Sequence, residues 1–302
     1  MNNVKNGHKT KQSYANKRTT GKEQYYTSPV AVDICIAELA RNISLGEHKI
    51  LEPAGGTGEF IKGLVRAGIK EDQIISYDIE PRYDRIIEAN FLEVDPTQFS
   101  GTVCVTNPPF GRANSLSKKF FNHAAKGCDY IGFLVPKSWR KWSVINSLDL
   151  NFDLVSEIEM PKNCFYKPDS SSSDKGVLKT IFQIWKRTEQ PRKKIKIKDH
   201  GLLKKVLPRN GFVEGANVAM IVFGHSCGKI EKISGKVKSK TTTMYLQVEN
   251  PEVYDHLISL DLSKFYNNVA YVQALSLQEI NHELNKKLGL ETFCFKSPLI
   301  TK

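Results

Sequence analysis

The stretch Lys49-Ile50-Leu51-Glu52-Pro53-Ala54-Gly55-Gly56-Thr57-Gly58 carries the strongest signal for the fold of this 302-residue chain. Lys49–Glu52 is typical of a buried strand, and the glycines that follow permit a tight turn and a close approach of backbone N–H groups to a ligand. A helix predicted at Glu59–Ala67, ended by Gly68, completes a strand–turn–helix unit. The same glycines also suit an ordinary strand-to-helix turn, and their spacing misses the dinucleotide pattern GxGxxG.

Predicted strands and helices alternate on both sides of this turn, as expected for a parallel α/β sheet. Thr27-Ser28-Pro29 opens a helix with a hydroxyl cap, proline in the first turn and one apolar face. Helices are also predicted at Ser117–Lys126 and Ser138–Leu148. The predicted strands are Ile74–Ile79, Arg85–Glu88, Val103–Thr106, Tyr130–Val135, Asp153–Glu159 and Leu178–Lys186.

The sequence divides into a disordered basic tail at 1–22, an α/β domain at 23–188 and a smaller α+β domain at 189–302. The boundary is predicted at Pro191–Lys198, where Lys193–Lys198 alternates lysine and isoleucine as in a solvated edge strand, rather than forming a nuclear signal. In the second domain, strands are predicted at Asn217–Phe223 and Met244–Val248. Helices are predicted at Glu252–Leu260 and after the capping box Ser276–Glu279. A flexible serine-rich loop is predicted at Lys167–Gly176.

The formal charge of +12 is concentrated at the two ends of the chain. Residues 1–24 carry 6 basic and 1 acidic side chains, residues 25–185 carry 18 and 20, and residues 186–302 carry 20 and 11. Basic ends around a nearly neutral centre favour a nucleic-acid partner, because lysine and arginine displace counterions from phosphates. The alternative is that the lysines only keep the protein soluble.

Composition also limits the cellular setting. The six cysteines show no zinc-like spacing and the seven histidines suggest no metal site, so we expect no bound metal. The scattered cysteines fit a reducing cytoplasm. No apolar stretch approaches the roughly 20 residues that span a bilayer, and the N-terminus lacks a hydrophobic signal core. We therefore expect a cytoplasmic protein with no membrane partner.

An acidic residue follows the next predicted strand, in Tyr77-Asp78-Ile79. A carboxylate at that position can accept hydrogen bonds from both ribose hydroxyls of a nucleoside. Together with the glycine turn, Asp78 favours a nucleoside-containing ligand.

Asn107-Pro108-Pro109-Phe110 directly follows the strand Val103–Thr106 and is the strongest functional signal. The 6-amino group of adenine is a poor nucleophile because its lone pair is delocalised into the ring. The Asn107 side-chain oxygen and the Pro108 carbonyl can accept from both N–H groups, and the prolines stiffen the segment. Phe110 offers a ring on which a base can stack. The alternative is an ordinary turn with two prolines.

The order of these motifs resembles the gamma class of DNA adenine-N6 methyltransferases, over about residues 24–187. The resemblance implies a doubly wound, mostly parallel, Rossmann-like class I methyltransferase sheet with an antiparallel last strand, followed by a basic target-recognition domain. It also implies S-adenosylmethionine (AdoMet) as the cofactor and DNA, with a flipped adenine, as the substrate. Methyl transfer would be direct, with no covalent enzyme intermediate.

The resemblance assigns roles to individual residues. Asn107, Pro108, Pro109 and Phe110 are implied to be catalytic, with Phe110 where the family usually has tyrosine. Asp78 is implied to bind ribose and Ile79 to lie beside the cofactor's adenine, which Asn90-Phe91 would frame in place of the usual Asp-Phe. Asn107 is also counted among the cofactor contacts. The methionine end is assigned to Thr27, Pro29, Glu52, Ala54, Gly56 and Gly58. Tyr26, Pro53 and Gly55 are implied to be further cofactor contacts.

Three other functions remain open from the sequence: an RNA adenine-N6 methyltransferase, a protein-glutamine methyltransferase and an inactive nucleic-acid-binding module. No nuclease motif is visible, so a restriction endonuclease of a restriction-modification system would be a separate chain. Arg112 suits either a phosphate contact or a solvated surface position. Trp139, Trp142 and Trp185 are interpreted as core or domain-contact residues, with Trp139 and Lys137 as alternative substrate contacts.

Overall fold

The computed structural model describes residues 26–162, 164–166, 178–231, 233, 237 and 241–294. The basic tail predicted at 1–22 and the serine-rich loop predicted at 167–176 lie outside these ranges. The strands in chain order are β1 (Tyr26–Thr27), β2 (Ile50–Glu52), β3 (Ile74–Asp78), β4 (Ile87–Glu88), β5 (Val103–Thr106), β6 (Tyr130–Pro136), β7 (Phe152–Glu159), β8 (Phe165–Tyr166), β9 (Thr180–Arg187), β10 (Lys204–Val206), β11 (Val218–Ile221), β12 (Ile230–Glu231) and β13 (Thr243–Gln247). The α-helices are α1 (Pro29–Asn42), α2 (Glu59–Arg66), α3 (Ser115–Ala124), α4 (Trp142–Ile145), α5 (Pro251–Ile258), α6 (Ser263–Tyr266) and α7 (Leu277–Lys287).

A seven-stranded sheet with the order β4-β3-β2-β5-β6-β9-β7 forms the centre of the first part of the chain. The first five strands in this order, β4, β3, β2, β5 and β6, pair in parallel, whereas β9 pairs antiparallel with both β6 and β7. The doubly wound, mostly parallel Rossmann-like sheet with an antiparallel last strand is therefore confirmed. The chain direction across the sheet reverses between β2 and β5, and such switch points are where open α/β sheets bind ligands, at the carboxyl ends of the strands.

Neighbouring residues of each strand point to opposite sides of this sheet, and a hydrophobic cluster lies on each side. Ile50 of β2 packs with α1 and α2 in one hydrophobic cluster, while Leu51 packs with α3 in another. Ser28 caps α1 by accepting a hydrogen bond from the Ala31 N–H, and Pro29 occupies the first turn, as predicted. Among the described helices, none combines the length and the apolar character that crossing a bilayer would require.

A four-stranded antiparallel sheet with the order β10-β13-β11-β12 lies in the C-terminal part of the chain. It packs with α5 and α7 around a hydrophobic cluster of its own, which includes Val218, Leu246 and Ile280. The predicted capping box is present: Ser276 accepts from the Glu279 N–H, and the Glu279 carboxylate accepts from the Ser276 N–H. This is the small α+β unit that the sequence predicted.

The helix predicted at Ser138–Leu148 is wrong. A 3₁₀ turn at Lys137–Arg140 and the short α4 are separated by Lys141, whose backbone is extended (φ −67°, ψ 131°). The Lys141 ammonium group donates to the carbonyl oxygens of Phe265 and Ala274 and to the Glu279 carboxylate, at 3.3, 3.0 and 2.7 Å. Contacts with a distant part of the chain therefore accompany the break in the helix.

The edge strand predicted at Lys193–Lys198 is also wrong. The Asn146 side chain bonds both the N–H and the carbonyl of Ile195, each at 2.7 Å, and occupies the backbone groups that a strand would pair. In the described part of the chain, this stretch forms one bridge, between Ile197 and Phe293. Arg192 is 6% exposed and donates to the carbonyl of Phe152, so the predicted domain boundary packs against the first sheet.

Candidate active site

A cavity of about 640 Å³ opens at the carboxyl ends of β2, β3 and β5. Its wall combines the glycine turn, the residues that follow β3 and the segment that follows β5. It is lined by Tyr26, Thr27, Glu52, Pro53, Ala54, Gly55, Gly56, Thr57, Glu59, Phe60, Asp78, Ile79, Glu80, Ala89, Asn90, Phe91, Leu92, Asn107, Pro108, Pro109, Phe110, Gly111, Arg112, Ser115, Leu116 and Phe120. Ligand sites in proteins commonly have volumes of roughly 300–1,000 Å³, so this cavity can hold a nucleoside-sized molecule.

The glycine turn is shaped by its neighbours. Gly56 has a φ of +52°, and a Cβ atom there would lie 3.1 Å from the Tyr26 ring. Its N–H donates to the Asp78 carboxylate at 2.8 Å, while the Gly55 N–H donates to the Tyr77 carbonyl at 3.0 Å. Only glycine fits position 56 without strain, because other residues rarely adopt this φ.

Glu52 ends β2 and is 1% exposed. One oxygen, Oε1, accepts from the Thr106 hydroxyl at 3.3 Å, whereas Oε2 has no hydrogen-bond partner among the described residues. Burial raises the pKa of this carboxyl group well above its usual range; the Thr106 hydrogen bond opposes the rise and the Asp78 charge adds to it. A ligand ammonium group in the cavity would give the buried carboxylate the cationic partner that buried charges require.

The Asp78 carboxylate is fixed by two backbone N–H groups. Its Oδ2 atom accepts from Gly56 and its Oδ1 atom accepts from Glu80, both at 2.8 Å. A carboxylate oxygen can accept more than one hydrogen bond, so each oxygen retains capacity for a ligand hydroxyl. Asp78 is therefore oriented at the cavity wall before any ligand binds.

Asn90 and Phe91 line the cavity in different ways. The Asn90 side chain caps a 3₁₀ turn by accepting from the Leu92 N–H at 3.2 Å, and its amide nitrogen donates to Glu93 at 2.7 Å. Phe91 is 1% exposed and packs with the rings of Phe99 and Phe120, each with a centroid separation of 5.4 Å. Asn90 thus holds the turn that carries Phe91.

Asn107-Pro108-Pro109-Phe110 leaves β5 and enters the cavity wall. The Phe110 carbonyl accepts from the N–H groups of Leu116 and Ser117 at the start of α3, at 3.2 and 3.3 Å. The Phe110 ring is 8% exposed and meets Phe165 edge-on, with the centroids 6.2 Å apart. The segment is therefore anchored at both ends, and little of the Phe110 ring faces solvent.

A strained loop follows the tetrapeptide. Ala113 and Asn114 have φ values of +53° and +60°, which cost free energy for residues other than glycine. The Asn114 amide donates to the Ser138 hydroxyl at 2.9 Å and ties the loop to the end of β6. Arg112 is exposed in this loop and lines the cavity.

A small antiparallel pair contributes Tyr26 and Thr27 to the cavity wall and packs Phe165 against Phe110. Tyr26 and Thr27 of β1 pair with Phe165 and Tyr166 of β8. The Tyr26 ring lies 5.9 Å from the Tyr166 ring, and the Arg82 guanidinium lies 5.3 Å from the Tyr26 centroid. No sequence pattern predicted β8, because a two-residue strand has no measurable periodicity.

Two predicted cofactor contacts, Pro29 and Gly58, lie outside the cavity lining, while the other predicted site residues line it. Pro29 is exposed in the first turn of α1. Gly58 has a φ of +75° and precedes α2, with Tyr83 packed over it. Sequence reasoning missed Thr57, Glu59, Phe60, Glu80, Ala89, Leu92, Gly111, Ser115, Leu116 and Phe120, most of which directly neighbour a predicted residue or begin the following helix.

The three tryptophans are packing residues. Trp139 and Trp185 are fully buried in the core on one face of the first sheet. Trp142 packs on Phe265, with a centroid separation of 5.4 Å, and contacts the C-terminal core. Lys137 pairs with Glu159 at 2.7 Å. The core and domain-contact interpretation is therefore the one that the packing supports.

No family model and no curated protein sequence matches this chain. Solved structures with a similar fold include the EcoKI type I restriction enzyme M protein, with 16% identity, a TM-score of 0.41, and coverage of 54% of this chain and 44% of that chain. The 23S rRNA methyltransferase ErmE has 15% identity, a TM-score of 0.38 and coverage of 56% and 71%. TrmN from Thermus thermophilus has 15% identity, a TM-score of 0.37 and coverage of 53% and 48%. This chain thus spans less than half of the EcoKI and TrmN chains, and the likeness concerns the fold alone.

Proposed function

We propose that this chain is an AdoMet-dependent methyltransferase that acts on the exocyclic 6-amino group of adenine in DNA. The observation that carries the proposal is that the buried Glu52 and the segment Asn107–Phe110 line the same cavity. The glycine turn would hold the methyl donor, and the Asn107 and Pro108 oxygens would hold the amine in the same cavity. Bringing the two reactants together is the main requirement of a direct transfer.

The cavity residues fit AdoMet, which supplies an electrophilic methyl group on a sulfonium centre when bound. The ligand's ammonium group suits Glu52 Oε2, which lacks a hydrogen-bond partner among the described residues. Its ribose hydroxyls suit the fixed Asp78 carboxylate, and Gly56 lets the turn pass close to the Tyr26 ring at the cavity wall. Ile79, which is 59% exposed at the cavity, and Phe91 would flank the cofactor's adenine.

Asn107 and Pro108 would activate the target amine. Two acceptors favour a tetrahedral nitrogen, whose lone pair is no longer shared with the ring and could attack a methyl group. The N–CH₃ bond would form as the S–CH₃ bond breaks, a neutral thioether would leave, and the nitrogen would then lose one proton to water. Because the prolines and the anchored Phe110 carbonyl hold the segment, the acceptors need little reorganisation when the base arrives. No side chain of the protein has to act as a nucleophile.

Phe110 would stack on the flipped adenine after turning away from Phe165. Extruding a base costs a few kcal/mol, and stacking on an aromatic ring returns roughly 1–3 kcal/mol. The net positive charge of residues 186–302, with 20 basic and 11 acidic side chains, supports a nucleic-acid substrate over a protein one. We assign residues 189–302 to substrate recognition on this basis.

The test is to offer radiolabelled AdoMet with duplex DNA, single-stranded DNA, RNA and a protein extract, and to identify the labelled nucleoside. The proposal predicts label in N6-methyldeoxyadenosine. Label in N6-methyladenosine of RNA would refute the choice of DNA, and label in protein glutamine would refute a nucleic-acid substrate. A protein that binds AdoMet but labels none of the four would refute the proposed activity.

A further inference from the structure

A tight hairpin follows β10. Arg209 and Phe212 exchange both backbone hydrogen bonds, at 2.9 and 2.8 Å, across the two-residue turn Asn210-Gly211. Both turn residues have positive φ, +48° and +82°, the geometry of the turn type that Asn-Gly favours. The hairpin therefore holds Phe212 in a defined place.

Large apolar side chains of the C-terminal part are exposed at this hairpin and at a second loop. Phe212 is 71% and Leu207 62% exposed. Where exposed apolar side chains gather at one end of a sheet, they can mark an interaction site. We define the sheet-end surface as these two residues together with three others that are 47, 45 and 37% exposed, namely Phe223, Tyr271 and Val272.

Both groups of residues emerge at one end of the C-terminal sheet. Strands β10 and β11 both run antiparallel to β13, with Val206 opposite Tyr245 and Ile221 opposite Thr243. The chain therefore leaves β10 toward Leu207, and β11 toward Phe223, at the end where β13 begins.

The same end of the sheet meets the active-site edge of the first sheet. The N–H of Lys179, which precedes β9, donates to the Ala270 carbonyl at 3.1 Å, and the Gly224 N–H donates to the Gln273 carbonyl at 3.0 Å. The segment 270–273, with Tyr271 and Val272, thus connects both sheets. Strand β9 lies two strands from β5, the strand that Asn107 follows, which corresponds to a lateral distance of about 10 Å.

Basic side chains accompany the exposed rings. Lys204, Lys205 and Arg209 are exposed on the strand and hairpin that carry Phe212, and residues 204–214 contain one acid, Glu214. Cations that reach phosphates and rings that stack on bases are the two elements of a surface that binds unpaired nucleic acid. A hydrophobic protein partner would not require the cations.

We propose that the sheet-end surface binds the nucleic-acid strand beside the flipped adenine, with Phe212 and Phe223 against bases and Lys205 and Arg209 on phosphates. The position of the adenine rests on the proposed function, whereas binding of the strand by this surface can be measured without methyl transfer. It assigns the C-terminal unit a stacking contact with the strand as well as an electrostatic one.

The test measures the binding of a fluorescein-labelled duplex and of the matching single strand by anisotropy at several salt concentrations. Phe212→Ala should weaken binding about 5- to 150-fold, the loss expected for one stacked base, and leave the salt dependence unchanged. Lys205→Gln combined with Arg209→Gln should lower the slope of log affinity against log salt by about 1.8 for duplex DNA. Phe212→Trp, which keeps an aromatic face, should bind as the wild type does.

The matched control is Ile258→Ala, which removes a side chain that is 52% exposed on α5 of the same part of the chain. Wild-type affinity in Phe212→Ala, or the same loss in Ile258→Ala, would overturn the proposal even if the enzyme methylates DNA. A selective loss in Phe212→Ala would support the surface even if no methyl transfer were found. The two proposals can therefore fail separately.

Discussion

Replacing Glu52 by Gln is expected to weaken AdoMet binding and, at the same time, to stabilise the ligand-free protein at neutral pH. Glu52 is 1% exposed, and its Oε2 atom has no hydrogen-bond partner within the described residues. A hydrogen bond that involves a charged group contributes about 1.5–3 kcal/mol. Losing the charge opposite the ligand's ammonium group should therefore raise the Kd of AdoMet about 10- to 150-fold.

The pH dependence of stability follows from the direction of the pKa shift. Burial raises the pKa of Glu52 in the folded protein, while the unfolded chain has the ordinary value of about 4.3. The folded state therefore keeps a proton that the unfolded chain releases, and this contribution to stability is full below the unfolded pKa and is lost as pH rises. As pH rises from the unfolded pKa toward the raised folded pKa of Glu52, the free energy of unfolding of the wild type should fall more steeply than that of Glu52→Gln, by up to about 1.4 kcal/mol per pH unit.

Glu38→Gln is the matched control, since Glu38 is a buried carboxylate outside the cavity lining. A hydrogen bond from Ser156 lowers the pKa of Glu38, so its contribution is present above the ordinary pKa and lost at low pH. Glu38→Gln should therefore lower stability at neutral pH and leave the Kd of AdoMet unchanged. Calorimetry gives the Kd, and urea unfolding at several pH values gives the stability. Wild-type affinity in Glu52→Gln, or a pH profile like that of Glu38→Gln, would refute the role of Glu52.

Two further predictions concern the turn and the contact between the sheets. Gly56→Ala should lower the free energy of unfolding by about 1–2 kcal/mol and weaken AdoMet binding, because its φ is +52° and its Cβ would lie 3.1 Å from an aromatic ring. Gly46→Ala, with nothing within 4 Å of its Cβ, should change stability by less than about 0.5 kcal/mol, and equal losses in urea unfolding would contradict the argument. Lys141→Met should cost about 3 kcal/mol because it leaves the Glu279 carboxylate buried without its cation. Arg66→Met, which breaks an exposed ion pair, should cost less than about 1 kcal/mol. A similar loss of unfolding free energy in both variants would contradict the claim that burial makes the Lys141–Glu279 pair costly to break.

Local signals predicted the elements that carry the site. The Ser28 cap with Pro29 set the start of α1, and the capping box at Ser276 set the start of α7. Strand β5 was predicted at its observed bounds, Val103–Thr106. Because the carboxyl ends of parallel strands meet at one edge of a sheet, motifs that follow β2, β3 and β5 come together without any further information.

The features that the sequence did not reveal depend on contacts between distant residues. Lys141 interrupts a helical pattern and bonds residues more than a hundred positions away. Asn146 bonds the backbone groups of Ile195, so the alternating stretch that resembles a strand forms a single bridge at Ile197 instead. The pairing of Tyr26 with Tyr166 involves strands too short to show a period. No local pattern encodes these partners.

The most direct test of the proposed chemistry is single-turnover methyl transfer by Asn107→Ala, with AdoMet affinity measured on the same preparation. Removing one preorganised hydrogen-bonding group from a site of this kind commonly costs a factor of about 10²–10³ in rate. We predict a loss of at least that size with the Kd of AdoMet changed by less than about threefold, since Glu52 and Asp78 remain in place. Methyl transfer by Asn107→Ala at the wild-type rate would contradict the account.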